Sequence, residues 1–284
     1  MTSLIFTLLF TILPPNTVPS DFTVMNEDKP MITVNREYYT LLLLNDPFID
    51  EDKVEFLLDK LEQKIYRKPI DAKLDDMGEI VSEKPGMTLD RDKLNLQFRN
   101  YFYYGQPQKV KVPTRTIYPR VDSELLASIH VNEIGNYVTY FKQSNKERSH
   151  NIDLAAEAIN NYVVFPGEIF SFNKIVGKRT KEKGYKRAPV IVKGELAEDI
   201  GGGICQVSST LYNAVDLAGL EVVERYSHSR SVPYVPPGRD ATVSWYGPDF
   251  SFKNKYNQPV LIRAQSSNGK MHVKIYSSED ISGG

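Results

Sequence analysis

The sequence predicts an α+β fold. Three observations carry this reading. Helical periodicities come in groups and do not alternate regularly with strands. Strand-like runs after residue 240 follow one another closely and are expected to pair antiparallel. Three glycines, Gly201, Gly202 and Gly203, lead directly into a helical pattern that begins with Ile204 and the only cysteine, Cys205.

Residues 1–35 read as a signal or anchor segment followed by a linker. Residues 4–13 (LIFTLLFTIL) are apolar except for Thr7 and Thr11. That run is shorter than the about 20 residues a spanning helix needs, and its length suits a signal-peptide core. No Lys or Arg precedes Lys29, and no clear small-x-small cleavage site follows. Residues 14–35 are rich in Pro, Asn and Asp and read as a linker. The segment favours export, with weak membrane anchoring at the N-terminus as the other use of the same run.

A small α+β domain is expected over 50–120. Residues 54–65 (VEFLLDKLEQKI) have a helical period, with Pro69 beyond them. Residues 70–81 alternate around Asp76–Gly78 like a hairpin. Asp90 is an N-cap for an amphipathic helix that stops at Gly105. Residues 109–117 (KVKVPTRTI) read as a strand.

A second domain is expected over 122–278. Residues 123–129 read as a short helix and 137–141 as a strand. Asn151 reads as the cap of a helix whose stripe is Ile152, Ala155, Ala156 and Ile159. Pro166–Gly167 is a turn, 188–192 a strand, and 220–225 a strand after Gly219. Residues 242–246, 260–264 and 272–276 supply the late strands. In the helix after the glycines, Ile204, Val207, Leu211, Val215 and Ala218 form one buried stripe. Cys205 is rotated about 100° from Ile204, so it stands beside that stripe, with Ser208, Ser209 and Tyr212 on or near the same flank.

Composition narrows the functional classes. The chain has 284 residues, a net charge of −1 and one cysteine. Near-neutral charge gives no global field toward nucleic acid. One cysteine excludes an internal disulfide framework and a Cys-rich zinc site. There is no H-E-x-x-H spacing, P-loop or dinucleotide fingerprint, so no metal or cofactor is expected.

A helix start presents free N–H groups and a positive dipole end, which favours a thiolate or a bound anion. A thiol nucleophile also needs a base, and the base an orienting group. His228 and Asp240 follow Cys205 in the order seen in papain-like and transglutaminase-like enzymes, an analogy of order alone. Arg225, Arg230 and Arg239 cluster in the same stretch and suit an anionic ligand. A free cysteine is also among the most commonly buried residues. Three readings therefore stand open: a Cys205–His228–Asp240 enzyme, an anion-binding module, and a packed core.

The runs NIDLAAEAINNYVVFPGEIFSFNKIVG, KGYKRAPVIVKGEL, GGGICQVSSTLYNAVDLAGLEVVERYSHSRSVPYVPPGRDATV and DFSFKNKYNQPVLIRA occur in the order found in the VanW family, which this chain resembles over about 135–266. The family pattern includes positions matching Gly201, Gly202, Gly203, Cys205, Gln206, Arg225, His228, Pro237, Gly238, Asp240 and Ala241. The preceding segment, from RKPIDAKLDD to MTLDRDKL, resembles the peptidoglycan-binding domain that stands upstream of VanW domains and of some L,D-transpeptidases.

The two resemblances imply an exported bacterial protein at the cell wall, linked to glycopeptide-resistance clusters, with peptidoglycan or another wall polymer as partner. The catalytic candidates are then Cys205 as nucleophile, His228 as base and Asp240 as orienter, acting on a wall peptide. The binding candidates are Gly201, Gly202, Gly203, Gln206, Ser208, Ser209, Tyr212, Arg225, Arg230, Tyr234 and Arg239.

Overall fold

A computed structural model describes residues 21–43, 46–105, 108–192 and 195–283. The apolar run at 4–13 lies outside the described residues. The fold is α+β, and the chain forms two units: Met1–Ile70 with Lys84–Pro119, and Asp71–Glu83 with Arg120–Gly284. Among the described residues no helix is long and apolar enough to cross a membrane.

The first unit begins earlier than the sequence suggests. The part of the expected linker that is described forms a hairpin of Asp21–Asn26 and Lys29–Asn35. Alternation explains it: Phe22, Val24 and Val34 point inward and are buried, while Glu27 makes the turn with φ 52°. Phe22–Met25 also pairs in parallel with Gln108–Lys111. Helices Glu51–Ile65 and Arg91–Tyr104 follow the expected periodicity, and the side chains of Asp50 and Asp90 cap them. Phe22, Phe98, Tyr101 and Phe102 fill the space between helices and hairpin. The single strand expected over 109–117 is two strands, Gln108–Lys111 and Thr114–Ile117, divided at Val112 and Pro113. A proline has no N–H for a ladder, and the two halves pair with different partners.

The second unit takes in the small hairpin of Lys73–Leu74 and Ile80–Val81. Arg263 holds it there, donating from Nη1 to the Leu74 carbonyl (2.9 Å) and from Nη2 to that of Asp75 (2.8 Å). The main sheet has four antiparallel strands in the order Asn132–Tyr140, Lys270–Ser277, Val260–Ser267, Tyr162–Val164. The central pair is joined by Asn268 and Gly269, both at positive φ, as a two-residue hairpin turn requires. A second sheet sets Ile169–Ser171, Ser251–Lys253 and Glu221–Glu224 side by side. Phe170 and Phe252 stack across it at 5.0 Å. A hairpin of Arg187–Val192 and Glu195–Ile200 leads into the glycines.

Helices Lys146–Ile159 and Ile204–Leu217 lie on the four-stranded sheet. The cysteine helix is buried on nearly every side, because its expected apolar stripe is flanked by Gln206, Ser208, Ser209, Thr210 and Asn213, all inaccessible.

Two expectations are corrected in this unit. The helix begins at Lys146 under an Asn145 cap, six residues before the expected cap. Asn151 is instead an interior residue that clamps two neighbouring segments. Its amide binds the carbonyls of Lys186 (2.9 Å) and Gly202 (3.0 Å) and the Lys186 N–H (2.8 Å). Residues 242–246 form no strand. Their backbone turns to other partners, with Thr242 N–H on the Tyr226 carbonyl and Ser244 N–H on that of Pro248.

The glycine run is required by geometry. Gly201 and Gly203 have φ of 89° and 109°, where a side chain is strained. A Cβ on Gly202 would stand 2.6 Å from the Ala188 carbonyl oxygen and 2.7 Å from that of Pro189. Gly202→Ala is therefore expected to cost about 1–3 kcal/mol by overpacking, measured as a lower midpoint in denaturant unfolding with an unchanged slope.

Candidate functional site

The glycine turn and the Asn151 clamp fix the start of the cysteine helix, and Cys205 occupies its second position. The helix stripe turns inward, so the thiol faces a cavity of about 990 Å³ on the adjoining side. Cys205, His228, Gln206, Tyr234, Gly201 and Gly203 all line that cavity, together with Arg148, Arg179, Thr242 and Val243.

The three residues spaced apart in sequence meet here. His228 Nδ1 lies 2.6 Å from Asp240 Oδ2, and the backbone N–H of His228 donates to the same oxygen at 2.6 Å. Both side chains are nearly closed to solvent, at 6% and 9% exposure, so solvent competes little for this contact. With Nδ1 taken by Asp240, Nε2 is the ring nitrogen left for the Cys205 thiol, to which His228 is electrostatically coupled. The sulfur is framed on its other side by residues 242–243. The Val243 N–H donates to Sγ at 3.5 Å, the Val243 carbonyl stands 3.5 Å away, and Thr242 Oγ1 is at 3.7 Å. The segment expected to be a strand thus supplies a donor for the thiolate and an acceptor for the thiol.

Electrostatics favour the ion pair. Burial pushes the Cys205 thiol up, but hydrogen bonds from His228, the Val243 N–H and Thr242, with the charge of His228, bring it below the ordinary thiol range. Burial pulls His228 down, while Cys205 and Asp240 outweigh it and raise the imidazole above its ordinary value. Burial likewise works against the Asp240 carboxylate, and its two bonds from His228 hold it low. The Tyr234 phenol is raised by burial and by charge on Cys205, so it stays protonated.

Residues 147–276 match the family model described as VanW like protein. The uncharacterized protein YoaR of Bacillus subtilis (strain 168) is 55% identical over 281 residues, which cover 99% of this chain and 93% of YoaR. The chain belongs to the VanW family. The vancomycin B-type resistance protein VanW of Enterococcus faecalis (strain ATCC 700802 / V583) is 35% identical over 78 residues, 28% of each chain. The Ldtfm–avibactam carbamoyl enzyme superposes with a TM-score of only 0.25 and 8% identity, over 63% of this chain and 69% of its own.

The VanW segment contains Cys205, His228 and Asp240, and the structure sorts the remaining expected binding residues by role. Gln206 lines the cavity floor but is saturated: its amide donates to Thr139 Oγ1 and the Tyr140 carbonyl, both at 3.0 Å, and accepts from Arg148 at 2.9 Å. Gly202, Ser208, Ser209, Tyr212, Arg225, Arg230 and Arg239 are not on the cavity wall. Most of them hold the His228–Asp240 loop instead. Arg225 donates to the carbonyls of Gly238 (3.0 Å) and Asp240 (2.7 Å). Arg239 binds Asn213 (2.6 Å) and Asp216 (2.8 Å), and both guanidinium groups lie over the Tyr212 ring. Ser209 Oγ accepts from the Ala241 N–H at 2.9 Å. Ser208 is buried with its hydroxyl unpartnered, and Arg230 is exposed.

Sequence reasoning missed Arg148, Arg179, Thr242 and Val243. Arg148 sits in the first turn of a helix whose cap, Asn145, lies six residues before the expected one, and Val243 acts through its backbone, which carries no side-chain signature. Among the described residues no group of three or more His, Cys, Asp and Glu side chains is placed to hold a metal.

A lowered Cys205 beside a raised His228 shifts the balance from the neutral thiol–imidazole pair toward the thiolate–imidazolium pair. Iodoacetamide alkylation of Cys205 is therefore expected to set in well below the about 8.5 of a free thiol and to fall off only as pH drops through the lowered thiol value. In His228→Ala the onset moves upward, because burial then acts with one fewer opposing bond. An onset at or above the free-thiol value in the native protein would contradict the ion pair.

Proposed function

We propose that this VanW-family protein is a cysteine-dependent acyl-transfer enzyme that works outside the cytoplasm on peptides of the bacterial wall. The observation that carries the proposal is the Cys205–His228–Asp240 relay, whose Cys205 and His228 line a 990 Å³ cavity. The wall as target is supported by the resemblance of the first domain to peptidoglycan-binding domains. It is also supported by similarity to a relative named as a vancomycin resistance protein.

The chemistry balances with the groups present. The Cys205 thiol proton resides on His228, and the thiolate attacks the carbonyl carbon of an amide. Backbone N–H groups around Gly203–Cys205, at the positive end of the helix, receive the oxyanion. On collapse the C–N bond breaks, and the amine leaves with the proton from His228. A thioester remains on Sγ. Water or a second amine then attacks it, gives a proton to His228, and releases acid or new amide as the thiol is restored. Asp240 keeps Nδ1 engaged throughout, so that Nε2 faces the sulfur.

Incubation with a muropeptide digest is expected to yield a covalent adduct on Cys205, detected by intact-protein mass spectrometry, whose mass is that of the peptide less its leaving amine. Cys205→Ala removes the adduct and lowers turnover by roughly 10⁴-fold or more. Asp240→Asn keeps the thiol but lowers turnover by roughly 10⁴-fold through the wrong tautomer. If the native protein binds muropeptides without adduct or turnover, and Cys205→Ala binds as tightly, the protein is a wall-binding module and the acyl-transfer reading is wrong.

A further inference from the structure

The cavity is charged asymmetrically. Lys142, Arg148, Lys178 and Arg179 stand on its lining, against one carboxylate, Asp199. Asp199 accepts from the Ile200 N–H at 2.7 Å, and no ion pair joins it to these cations among the described residues. The two arginines differ from the exposed lysines. Arg179 lays its stem along Gly201, 3.2 Å from where a Cβ would be. Its Nη1 and Nη2 are buried and have no hydrogen-bond partner in the protein. Arg148 runs past Gly203 and spends one Nη2 bond on Gln206. Burial weakens the hold of both guanidinium groups on their charge, and in each case a charge on Cys205 opposes that effect.

A buried guanidinium without an acceptor is costly. The cost is recovered when an anion arrives, and a planar carboxylate matches the guanidinium fork. We infer that Arg179, with Arg148, forms a carboxylate subsite beside Cys205, which selects peptides bearing a free carboxylate next to the bond that is cut. The inference rests on the acyl-transfer reading for its meaning, but the subsite itself can be read without turnover.

Two alkylating reagents of nearly equal size supply the test, since iodoacetate carries a carboxylate and iodoacetamide does not. The rate ratio of iodoacetate to iodoacetamide at Cys205 is expected to exceed that of a free cysteine peptide by at least about tenfold, the scale of local charge steering. Sodium acetate should protect Cys205 against iodoacetamide where equal sodium chloride does not. Arg179→Gln brings the ratio back to the free-peptide value, and Arg179→Lys keeps part of the preference. Peptide acids should then acylate Cys205 at least about tenfold faster than the matching C-terminal amides.

A native ratio equal to that of the free peptide, or acetate no better than chloride, overturns the subsite; this comparison needs no variant to fold. The acyl-transfer reading fails differently: carboxylate preference is present, yet neither acids nor amides form an adduct.

Discussion

Burial of the cysteine helix on nearly all its faces is the constraint on which the site depends. An ordinary amphipathic helix buries one stripe and leaves the other to water. Here the polar flank is enclosed as well, where a polar group needs a partner, and Gln206, Ser209, Thr210 and Asn213 each have one while Ser208 does not. Gln206 reaches the strand Asn132–Tyr140 and Arg148, Ser209 takes the Ala241 N–H, and Asn213 takes the Arg239 carbonyl at 2.7 Å. These bonds tie loop, strand and neighbouring helix to one rod. The position of His228 relative to Cys205 is thus set by the satisfaction of buried polar groups elsewhere along the helix.

The same logic explains why so many polar residues surround the thiol without touching the cavity. Arg225, Arg239 and Tyr212 belong to or brace a loop whose regular structure ends at Glu224. Without a ladder, its backbone carbonyls need side-chain donors, and Arg225 and Asn213 supply them. Their cost of ordering falls on the folding of the domain. In the proposed reaction the relay would then need little reorganisation, the condition under which fixed dipoles act most strongly on developing charge.

Periodicity made the helices and the last two strands, Val260–Ser267 and Lys270–Ser277, legible. The stripe Ile204, Val207, Leu211, Val215 and Ala218 reads the same in sequence and in structure, because burial and the 3.6-residue repeat agree there. Three features were hidden. Asn151 has the chemistry of a cap, but tertiary partners claimed its amide, and Asn145 six residues earlier took the capping role. Residues 242–246 alternate like a strand but pair with no sheet, and their N–H and C=O groups serve Cys205 and the neighbouring loop. Within the site, Cys205, His228 and Asp240 could be picked out as reactive types in a suggestive order. Arg148 and Arg179 lie 57 and 26 positions before Cys205, and no local pattern connects them to it.

A thiol held below its ordinary range is also the form that peroxide attacks most readily. Cys205 is the only cysteine of the chain, so a sulfenic acid formed on it has no second thiol in the same molecule with which to condense. The Val243 N–H, which steadies the thiolate, gives no shelter against a small oxidant entering by the cavity. Recovery would have to come from a reductant or thiol delivered by another molecule. In an oxidising compartment, the working lifetime of such a site is then set by its surroundings as much as by its own fold.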